Sequence, residues 1–149
     1  MEELGQSKLQ HWLDLRCVLW PDDSASHFSG ITRYFSGQNP HIERVWGVCS
    51  KGSTVIGFLE LSLRSYAEGT GDSPAPYVEG WFVRSDALGK GAGKALMEKV
   101  VDWARSCGFT HLASDTDLSN EVCMHAHRAI GFKEVGRQVS FLRQLKLQS

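Results

Sequence analysis

Nine residues in the middle of the chain, 88 to 96 with the sequence LGKGAGKAL, combine three glycines with two lysines and lead into a helical pattern. A helix that follows a glycine turn presents backbone N–H groups without intrahelical partners, and its macrodipole attracts anions. Glycine lets a ligand come close to the main chain, and Lys90 and Lys94 add positive charge. The turn is therefore predicted to bind a phosphate or pyrophosphate group.

Two other phosphate-binding motifs do not fit this turn. A Walker-type loop would need a hydroxyl residue where Ala95 follows Gly93-Lys94, and a glycine where Leu88 stands. A dinucleotide fingerprint that starts at Gly89 would need its third glycine at the position of Lys94. A structural turn with incidental lysines is the alternative to an anion site.

A second pair of chemically capable residues lies further along the chain. Asn120 and His127 are seven residues apart in a predicted helix, so they fall on one face, two turns apart. Histidine can donate a proton near neutral pH, and the thiolate of a thiol with a pKa of about 8.5 is a suitable acceptor. The alternative is a histidine that packs against the sheet. No metal site with His125 is expected, because side chains two residues apart on a helix diverge.

Hydrophobic patterning and turn residues indicate which elements position these groups. Two helices are predicted first, one capped by Ser7 and ended by Pro21, and one from about Ser24 to Phe35. Two antiparallel strands follow, RVWGVCS and TVIGFLELSLR, joined at Lys51-Gly52. The longest irregular stretch, SYAEGTGDSPAP, is predicted to be a loop that borders a site.

The second half of the chain alternates strands and helices around the glycine turn. YVEGWFV is typical of a strand, and one apolar face predicts a helix over 94–107, formed by Leu96, Met97, Val100, Val101 and Ala104. A short strand, THLAS, precedes the helix over about 120–130, and KEVGR and VSFLRQL are predicted terminal strands. This order indicates an α/β or α+β domain with a mixed sheet.

The composition limits the classes of function. The 149 residues carry 16 basic and 17 acidic side chains, so no global field would attract nucleic acid or an anionic membrane. The polar start MEELGQSKLQ has no leader pattern, and no apolar run is long enough for a membrane span. The four cysteines form no C-x-x-C pair, which is typical of reduced thiols. We expect one soluble, cytoplasmic domain without nucleic-acid or membrane partners.

The glycine turn resembles the pyrophosphate loop of the acetyl-coenzyme A dependent N-acetyltransferase (GNAT) superfamily. In that loop a basic residue or Gln, two variable residues, a glycine, a variable residue and a glycine or alanine precede the helix. Residues 88–93 match this pattern, except that Leu88 replaces the basic residue or Gln. Gly131-Phe132 follows Asn120 and His127 at the spacing of the same superfamily, which usually has Tyr in place of His127.

Five further stretches are similar to the single-domain bacterial aminoglycoside 6′-N-acetyltransferases: LRCVLWPD, SLR followed by YAEGTGDSP, VEGWFV, ASDT and HRAIGF. The resemblance implies a single N-acetyltransferase domain over 1–149, with a mixed, mostly antiparallel sheet, helices on both faces and splayed central strands. It implies transfer of an acetyl group from acetyl-coenzyme A to the 6′-amine of an aminoglycoside in a ternary complex, antibiotic resistance and a homodimer. Gly136 departs from the relatives, which often have Glu there.

The resemblance also implies which residues bind the cofactor. A backbone N–H of the splayed strand, that of Val83, would hold the pantetheine arm and polarise the thioester. Asn120 would bond the pantetheine arm, and His127 would protonate the departing thiolate. The complete predicted cofactor-binding set is Trp81, Phe82, Val83, Leu88, Gly89, Lys90, Gly91, Ala92, Gly93, Lys94, Asn120 and His127.

A polycationic aminoglycoside requires carboxylates in its site, and the candidates are Asp22, Asp23, Glu79, Asp115 and Asp117. The amine arrives protonated, so a general base is needed, with Asp115 preferred and Glu79 acting through water as the alternative. Trp20 and Tyr66 are predicted walls for the sugar rings, unless Trp20 belongs to the core and Tyr66 anchors its loop. The predicted acceptor-binding residues are thus Trp20, Asp22, Tyr66, Glu79 and Asp115.

Two other functions remain open on the sequence alone. The acceptor could be another small amine, such as a polyamine or a different amino sugar, because carboxylates attract any cation. The domain could also bind an acyl-coenzyme A without turnover, and Leu88 together with the missing Tyr favours this alternative.

Overall fold

The computed structural model of the protein describes residues 1–21 and 24–148. Its first elements are β1 (Glu2–Glu3), a 3-10 turn (Gln6–Lys8), α1 (Leu9–Leu19), α2 (Ser24–Phe35), β2 (Arg44–Cys49), β3 (Val55–Arg64) and β4 (Ala75–Val83). A second 3-10 turn (Ser85–Ala87), α3 (Ala92–Ser106), β5 (Ala113–Ser114) and α4 (Glu121–Ala129) follow. The chain divides into two compact units, Met1–Asp115 and Thr116–Ser149, and each is described by itself.

The first unit is built on a sheet with the strand order β1-β2-β3-β4-β5. β2 and β3 form the predicted antiparallel hairpin across Lys51-Gly52, and β3 pairs with β4 in antiparallel fashion from Gly57 opposite Val83 to Arg64 opposite Ala75. The β4–β5 pair is parallel. The predicted mixed, mostly antiparallel sheet is thus confirmed.

Helices of the first unit cover both faces of this sheet. Val45 of β2 belongs to a buried cluster with Trp12 of α1 and Ile31 of α2, whereas the ring of the next residue, Trp46, lies 5.9 Å from that of Trp103 in α3. Successive side chains of a strand point to opposite faces, so α1 and α2 lie on one face and α3 on the other. Full burial of an apolar side chain such as Ile31 stabilises the fold by about 1.5–3 kcal/mol.

A β-bulge in β4 changes the alternation of side chains along this strand. Glu60 of β3 is opposite Gly80 and Leu61 is opposite Val78, so Glu79 is the inserted residue. After the bulge, Gly80 faces the α1 side, and Trp81 faces the start of α3. A bulge can therefore re-aim side chains at the edge of a site, and here it directs Trp81 toward the glycine turn.

The pairing between β4 and β5 ends just before the bulge. β5 pairs with Tyr77 and Val78 of β4, whereas β4 continues to Val83. From Glu79 onward, β4 has no pair with β5 among the described residues, which confirms the predicted splay of the central strands. Within residues 1–21 and 24–148, no helix combines the length and the apolar character needed to cross a bilayer.

Two local predictions are wrong. Ser7 does not cap α1: it lies in the 3-10 turn, and Lys8 occupies the N-cap position without a side-chain cap hydrogen bond. KEVGR and VSFLRQL form no strand in the described part of the chain, and their side chains are exposed. A β-branched and aromatic sequence forms a strand only where a neighbouring strand pairs with its backbone, and the strand order of the sheet runs from β1 to β5 without these segments.

Candidate functional site

The glycine turn, residues 88–93, leads from the second 3-10 turn into α3. Gly89 and Gly91 have φ angles of 80° and 81°, in the left-handed region that favours glycine. Gly91 is the N-cap, and the first hydrogen bond of α3 runs from the Ala95 N–H to the Gly91 carbonyl at 3.0 Å. The N–H groups of residues 92–94 precede that bond and point out of the helix start.

The space around the glycine turn is open. A Cβ added at Gly89 or Gly91 would meet no atom within 4 Å, and the side chains of Leu88 and Lys90 are exposed. Lys94 is also exposed and lies 3.8 Å from Glu98, one helical turn further along. The turn and the first residues of α3 therefore present N–H donors, the positive end of a helix dipole and two lysines, which together fit a pyrophosphate group.

The side chain of Trp81 connects the end of β4 to the start of α3. Its indole N–H donates to the Gly93 carbonyl at 2.9 Å, and a Cβ added at Gly93 would lie 3.5 Å from the Trp81 ring and 3.6 Å from Val83. The ring of Phe82 lies on the opposite face, 6.2 Å from the ring of Phe58. Trp81 and Val83 thus line the side of β4 that is next to the glycine turn.

The backbone of β4 directs its N–H groups to two edges in alternation. The N–H of Arg84 donates to the Ile56 carbonyl at 2.7 Å, so the N–H groups of Arg84 and Phe82 point toward β3. The N–H of Val83 points to the other edge, where the register with β5 ends at Val78. This N–H is therefore placed to donate to a ligand that lies between the separated strands.

A polar network joins β3, β4 and the end of β5, and we refer to Ser62, Arg64, Tyr77, Glu79 and Asp115 as the carboxylate cluster. Arg64 donates through Nε and Nη2 to the two carboxylate oxygens of Glu79, both at 2.7 Å. The Ser62 hydroxyl donates to Oε1 of Glu79 at 2.5 Å. The bulge residue is thus held by three hydrogen bonds from the neighbouring strand.

Tyr77 connects Asp115 to the same cluster. Its hydroxyl donates to Oδ2 of Asp115 at 2.5 Å, and the guanidinium of Arg64 lies over its ring, 3.6 Å from the centroid. Burial, together with the hydrogen bond to Asp115, raises the pKa of Tyr77 above its ordinary value, so the hydroxyl remains a donor. The hydrogen bonds to Glu79 raise the pKa of Arg64, which stays cationic. The two predicted bases, Glu79 and Asp115, therefore belong to one network.

An open cleft of about 820 Å³ lies beside the carboxylate cluster. The charged and aromatic side chains that line it include Arg16, His27, Arg33, Arg64, Tyr66 and Glu79. Tyr66 is 67% exposed, and its hydroxyl donates to Glu68 at 2.7 Å. Three arginines line the cleft together with Glu79, so the cleft is more mixed in charge than the sequence indicates. Asp22 and Asp23, predicted to contribute here, lie outside the described residues.

Trp20 lies just after α1, against the bulged part of β4. A Cβ added at Gly80 would come within 2.7 Å of the Trp20 ring, so only glycine permits this close approach. The guanidinium of Arg16 lies 5.1 Å from the ring centroid, and the ring of His27 is stacked at 6.2 Å. Trp20 is half-buried and packs against the hydrophobic core, and its contact with an acceptor stays a prediction.

A third carboxylate, Glu60, lies on the same face of β3 as Ser62 but is buried. It accepts a hydrogen bond from the Trp12 indole at 2.8 Å. Nε of Arg16 lies 3.1 Å from the Glu60 carboxylate and forms an ion pair with it, but the geometry is not that of a hydrogen bond. Burial raises the pKa of Glu60 to about 7, although the charge of Arg16 and the bond from Trp12 act in the opposite direction. The charge of this carboxylate therefore changes near neutral pH.

Asn120 and His127 belong to the second unit. Asn120 is the N-cap of α4, and its Oδ1 accepts the Cys123 N–H at 3.0 Å. Nδ1 of His127 lies 2.8 Å from the Cys123 carbonyl, and because a carbonyl only accepts, Nδ1 carries a hydrogen. Nε2 is the ring nitrogen that takes no part in this hydrogen bond. The ring of His127 contacts that of Phe132 edge-on at 5.1 Å. Asp117 lies in this unit too, before the cap.

Sequence reasoning missed three members of the carboxylate cluster: Ser62, Arg64 and Tyr77. Alternation along β3 could have placed Ser62 and Arg64 on one face. Which residue of β4 faces them depends on the register across loop 65–74 and on the bulge, and neither is visible in the sequence. Among the residues that the structure describes, no group of three or more His, Cys, Asp or Glu side chains could hold a metal ion.

Curated relatives match the chain over most of its length. The aminoglycoside N(6′)-acetyltransferase type 1 of Klebsiella aerogenes is 38% identical over 135 residues, which cover 90% of this chain and 89% of that protein. The protein of the same name from Stenotrophomonas maltophilia is 35% identical over 136 residues, covering 91% and 86%. The resemblance to this branch is thus confirmed.

Solved structures of similar proteins share the fold. AAC(6′)-Iy in complex with the bisubstrate analog CoA-S-monomethyl-acetylneamine has a TM-score of 0.86 and 28% identity, with 96% of both chains covered. AAC(6′)-Ih from Acinetobacter baumannii has a TM-score of 0.85 and 32% identity, with 97% of both chains covered. A sequence model of the family matches residues 9–132. The splayed sheet, the glycine turn and these matches agree: the chain belongs to the acetyltransferase (GNAT) family.

Proposed function

We propose that this protein transfers the acetyl group of acetyl-coenzyme A to the 6′-amine of an aminoglycoside and so confers resistance to such antibiotics. The names of the two curated relatives, at 38% and 35% identity, support this activity. On this chain, the observation that carries the proposal is the carboxylate cluster at the edge where β4 and β5 separate. Because acetyl-coenzyme A is used inside the cell, the proposed site of action is the cytoplasm.

The glycine turn is the proposed binding site for the diphosphate of coenzyme A, which when bound supplies an acetyl group activated as a thioester. The N–H groups of residues 92–94 and the lysines Lys90 and Lys94 would hold the phosphates, and Gly89 and Gly91 leave room for them. The Val83 N–H would hold the pantetheine arm and polarise the thioester carbonyl, beside Trp81 and Phe82. Leu88 adds no charge to this site.

Asp115 is the proposed general base. Tyr77 occupies its Oδ2, and the residue is exposed at the end of β5, so an ammonium group can reach the other oxygen. Glu79 already accepts three hydrogen bonds, two from Arg64 and one from Ser62, out of about four that a carboxylate can accept. Glu79 is therefore proposed to act through water.

His127 is the proposed proton donor for the leaving thiolate, through Nε2. Its Nδ1–H is held by the Cys123 carbonyl, which fixes the ring. Asn120 uses its oxygen as a helix cap, so its amide hydrogens are the groups proposed to bond the pantetheine arm. On the acceptor side, Trp20 and Tyr66 are proposed to contact the sugar rings, together with Asp22.

The test is the product formed from acetyl-coenzyme A and an aminoglycoside with a free 6′-amine, analysed by mass spectrometry and NMR. We expect one added acetyl group at the 6′-nitrogen, and no product from a matched aminoglycoside with a 6′-hydroxyl. Turnover of spermidine without turnover of any aminoglycoside would assign the enzyme to another amine. Calorimetric binding of coenzyme A without thiol release in any acceptor reaction would indicate a binding module.

We also propose that the protein forms a homodimer through its C-terminal segment. Val139, Phe141, Leu145 and Leu147 are 69%, 93%, 74% and 97% exposed, and they recur at the even spacing of a strand face. Such apolar side chains would be covered by a second copy. Light scattering should show a dimer for the wild type and a monomer for Phe141→Asp with Leu145→Asp. Gln144→Asp, which adds a charge to the same segment, should stay dimeric, and a wild-type monomer would contradict the proposal.

A further inference from the structure

Arg64 lies between the two carboxylates that the proposed acetyl transfer uses. Its guanidinium donates to both oxygens of Glu79 at 2.7 Å and lies over the ring of Tyr77, 3.6 Å from the centroid. The hydroxyl of the same ring donates to Asp115 at 2.5 Å. One cation therefore contacts Glu79 directly and influences Asp115 through a single aromatic ring.

Three physical effects follow from this arrangement. The bidentate fork of an arginine fixes the plane of the carboxylate that it binds, here that of Glu79. A cation over an aromatic face draws electron density from the ring, so Tyr77 becomes a stronger donor to Asp115. A positive charge close to two carboxylates offsets part of the repulsion between them.

We propose that Arg64 is a positioning residue that places its positive charge beside Glu79 and Asp115 and fixes their mutual orientation during acetyl transfer. The inference rests on the proposed function, because it assigns a role within the same site. The fork on Glu79 also neutralises that carboxylate in advance, so a cationic acceptor is directed to Asp115.

A purely structural ion pair would behave differently. The side chains of Arg64 and Glu79 are 43% and 26% exposed, and ion pairs open to water typically contribute modestly to stability, with a bidentate pair such as this one near the upper end of their range. Removal of Arg64 should therefore leave the fold intact. The positioning role, in contrast, predicts a change in how activity depends on pH.

Other charged or titratable groups surround the cluster and set a common background. They lie beneath β3, on α1 and α2, and in the adjoining loops: Glu60, Arg16, His27, Arg33, His41 and Glu68. These groups are the same in the wild type and in every variant of Arg64. A difference between the pH profiles of the two proteins therefore belongs to Arg64.

The chain offers a matched control in Arg44. Its guanidinium also binds one carboxylate, that of Glu3 at 2.9 and 3.1 Å, and lies near one aromatic ring, 5.9 Å from the centroid of Trp103. Its side chain is 41% exposed, close to the value for Arg64. Arg44→Ala therefore removes the same kind of surface pair without touching the carboxylate cluster.

The experiment is the pH profile of kcat/KM for the acceptor amine, measured with saturating acetyl-coenzyme A. In Arg64→Ala we expect the acid limb to move to higher pH by about one unit, because a neighbouring opposite charge changes carboxyl ionisation by 1–3 units. Millimolar guanidinium should restore part of the activity lost on the acid limb, and the same concentration of urea should not. Arg44→Ala should follow the wild type. Identical acid limbs in all three proteins would overturn the proposal.

Arg64→Lys tests the effect of the charge separately from the effect of the geometry, and it can replace the alanine variant if that variant does not fold. It keeps the positive charge but loses the fork and the flat stacking on Tyr77. We expect its acid limb to stay within about half a pH unit of the wild type, and its kcat to fall several-fold because Glu79 is no longer fixed. An unchanged kcat would contradict the positioning role.

A readout without substrates keeps this inference separate from the acetyl-transfer proposal. The carbon-13 resonances of the side-chain carboxyl groups of Glu79 and Asp115 shift as these groups gain a proton. In Arg64→Ala, the pH at which these resonances shift should be higher than in the wild type. In Arg64→Lys, it should be the same as in the wild type. If they move as expected while no amine is acetylated, acetyl transfer fails and the effect of Arg64 stands. Unmoved resonances in Arg64→Ala would overturn the inference whatever the enzyme acetylates.

Discussion

The glycine turn and the carboxylate cluster are built in opposite ways. The turn is six consecutive residues, 88–93, and it offers mainly backbone N–H groups and the start of α3. The cluster takes side chains from β3, from β4 and from the end of β5, at positions as distant as Ser62 and Asp115. The turn depends on local conformation, and the cluster depends on strand register.

This difference predicts that the two regions fail in different ways. A change in the glycine turn should weaken binding of the coenzyme and leave the chemistry of a bound complex largely intact. A change in the carboxylate cluster should lower kcat and alter the pH dependence, with little effect on coenzyme affinity. The split between KM for acetyl-coenzyme A and kcat therefore tests the comparison directly.

Asp115→Asn should have the largest effect. The amide keeps the size of the side chain and can still accept from Tyr77, but it cannot take a proton from the acceptor amine. General-base catalysis contributes about 10²–10⁴-fold, so kcat should fall by at least about 100-fold, with KM for acetyl-coenzyme A changed less than about 3-fold. Steady-state thiol release at several coenzyme concentrations measures both constants.

The control for this variant is Asp102→Asn on the exposed side of α3, where the carboxylate lies 4.0 Å from Arg105. It should have wild-type kinetics. If Asp115→Asn kept more than about a tenth of kcat, Glu79 would become the favoured base.

Glu60 sharpens the contrast, because it is a carboxylate on the same face of β3 that should affect stability and not chemistry. Its pKa is about 7 in the folded protein against an ordinary value of 4.5, so folding takes up a proton between these values. This contribution is present in full below about pH 4.5 and is lost as the pH rises through about 7. The loss amounts to about 3 kcal/mol, at 1.36 kcal/mol for each pH unit of the difference.

Urea unfolding at pH 5 and pH 7.5 measures this contribution. Glu60→Gln cannot titrate, so its free energy of unfolding should depend less on pH than that of the wild type. The comparison uses the change with pH and not the absolute stability, because Arg16 loses its buried partner in this variant. Glu98→Gln, at an exposed carboxylate of α3, should keep the wild-type slope. Equal slopes for Glu60→Gln and the wild type would contradict the assignment.

The two regions also differ in how much of them the sequence predicts. The glycine spacing at 88–93 predicts a turn before a helix, and the hairpin at Lys51-Gly52 and the helix over 24–35 follow from local patterns in the same way. The link from Arg64 through Tyr77 to Asp115 is invisible to such patterns, because one inserted residue, Glu79, sets which side chains face each other. Local interactions are readable, whereas register is a property of the assembled sheet.

The two wrong predictions show two limits of local patterns. VSFLRQL has the alternation of a strand, but alternation states only that a segment could pair and not that an edge is available to it. Ser7 is a good capping residue in isolation, yet the chain enters α1 through a 3-10 turn, so the cap position falls at Lys8. Asn120 shows the reverse: the sequence suggested a ligand contact, and the structure adds a helix cap.

Gly91→Ala should have a smaller effect, confined to the coenzyme side. The φ angle of 81° at this position costs a residue with a Cβ about 1–2 kcal/mol, so the turn should relax away from the conformation that presents its N–H groups. We expect KM for acetyl-coenzyme A to rise about 5- to 30-fold, with kcat within about 3-fold.

Gly52→Ala is the matched control, because a Cβ there meets no atom within 4 Å and the residue is not among the glycines with positive φ. The kinetic constants and the coenzyme affinity of this variant, measured by steady-state kinetics and calorimetry, should equal those of the wild type. A larger loss of kcat than of coenzyme affinity in Gly91→Ala would break the proposed division between the two regions.

Leu88→Arg should have the smallest effect and the opposite sign. Leu88 is 62% exposed at the start of the turn, so an arginine there adds a positive charge without removing core packing. A charge near a helix terminus contributes about 0.3–1 kcal/mol, and beside a bound diphosphate this should lower KM for acetyl-coenzyme A by about 2- to 5-fold. The gain should shrink at high salt, because exposed charges are screened.

The control is Val18→Arg, at an apolar residue of α1 that is 66% exposed, which carries the same added charge outside the turn. If both variants lowered KM for acetyl-coenzyme A equally, the lower KM would result from net charge, and this would contradict the proposal that the glycine turn binds the diphosphate.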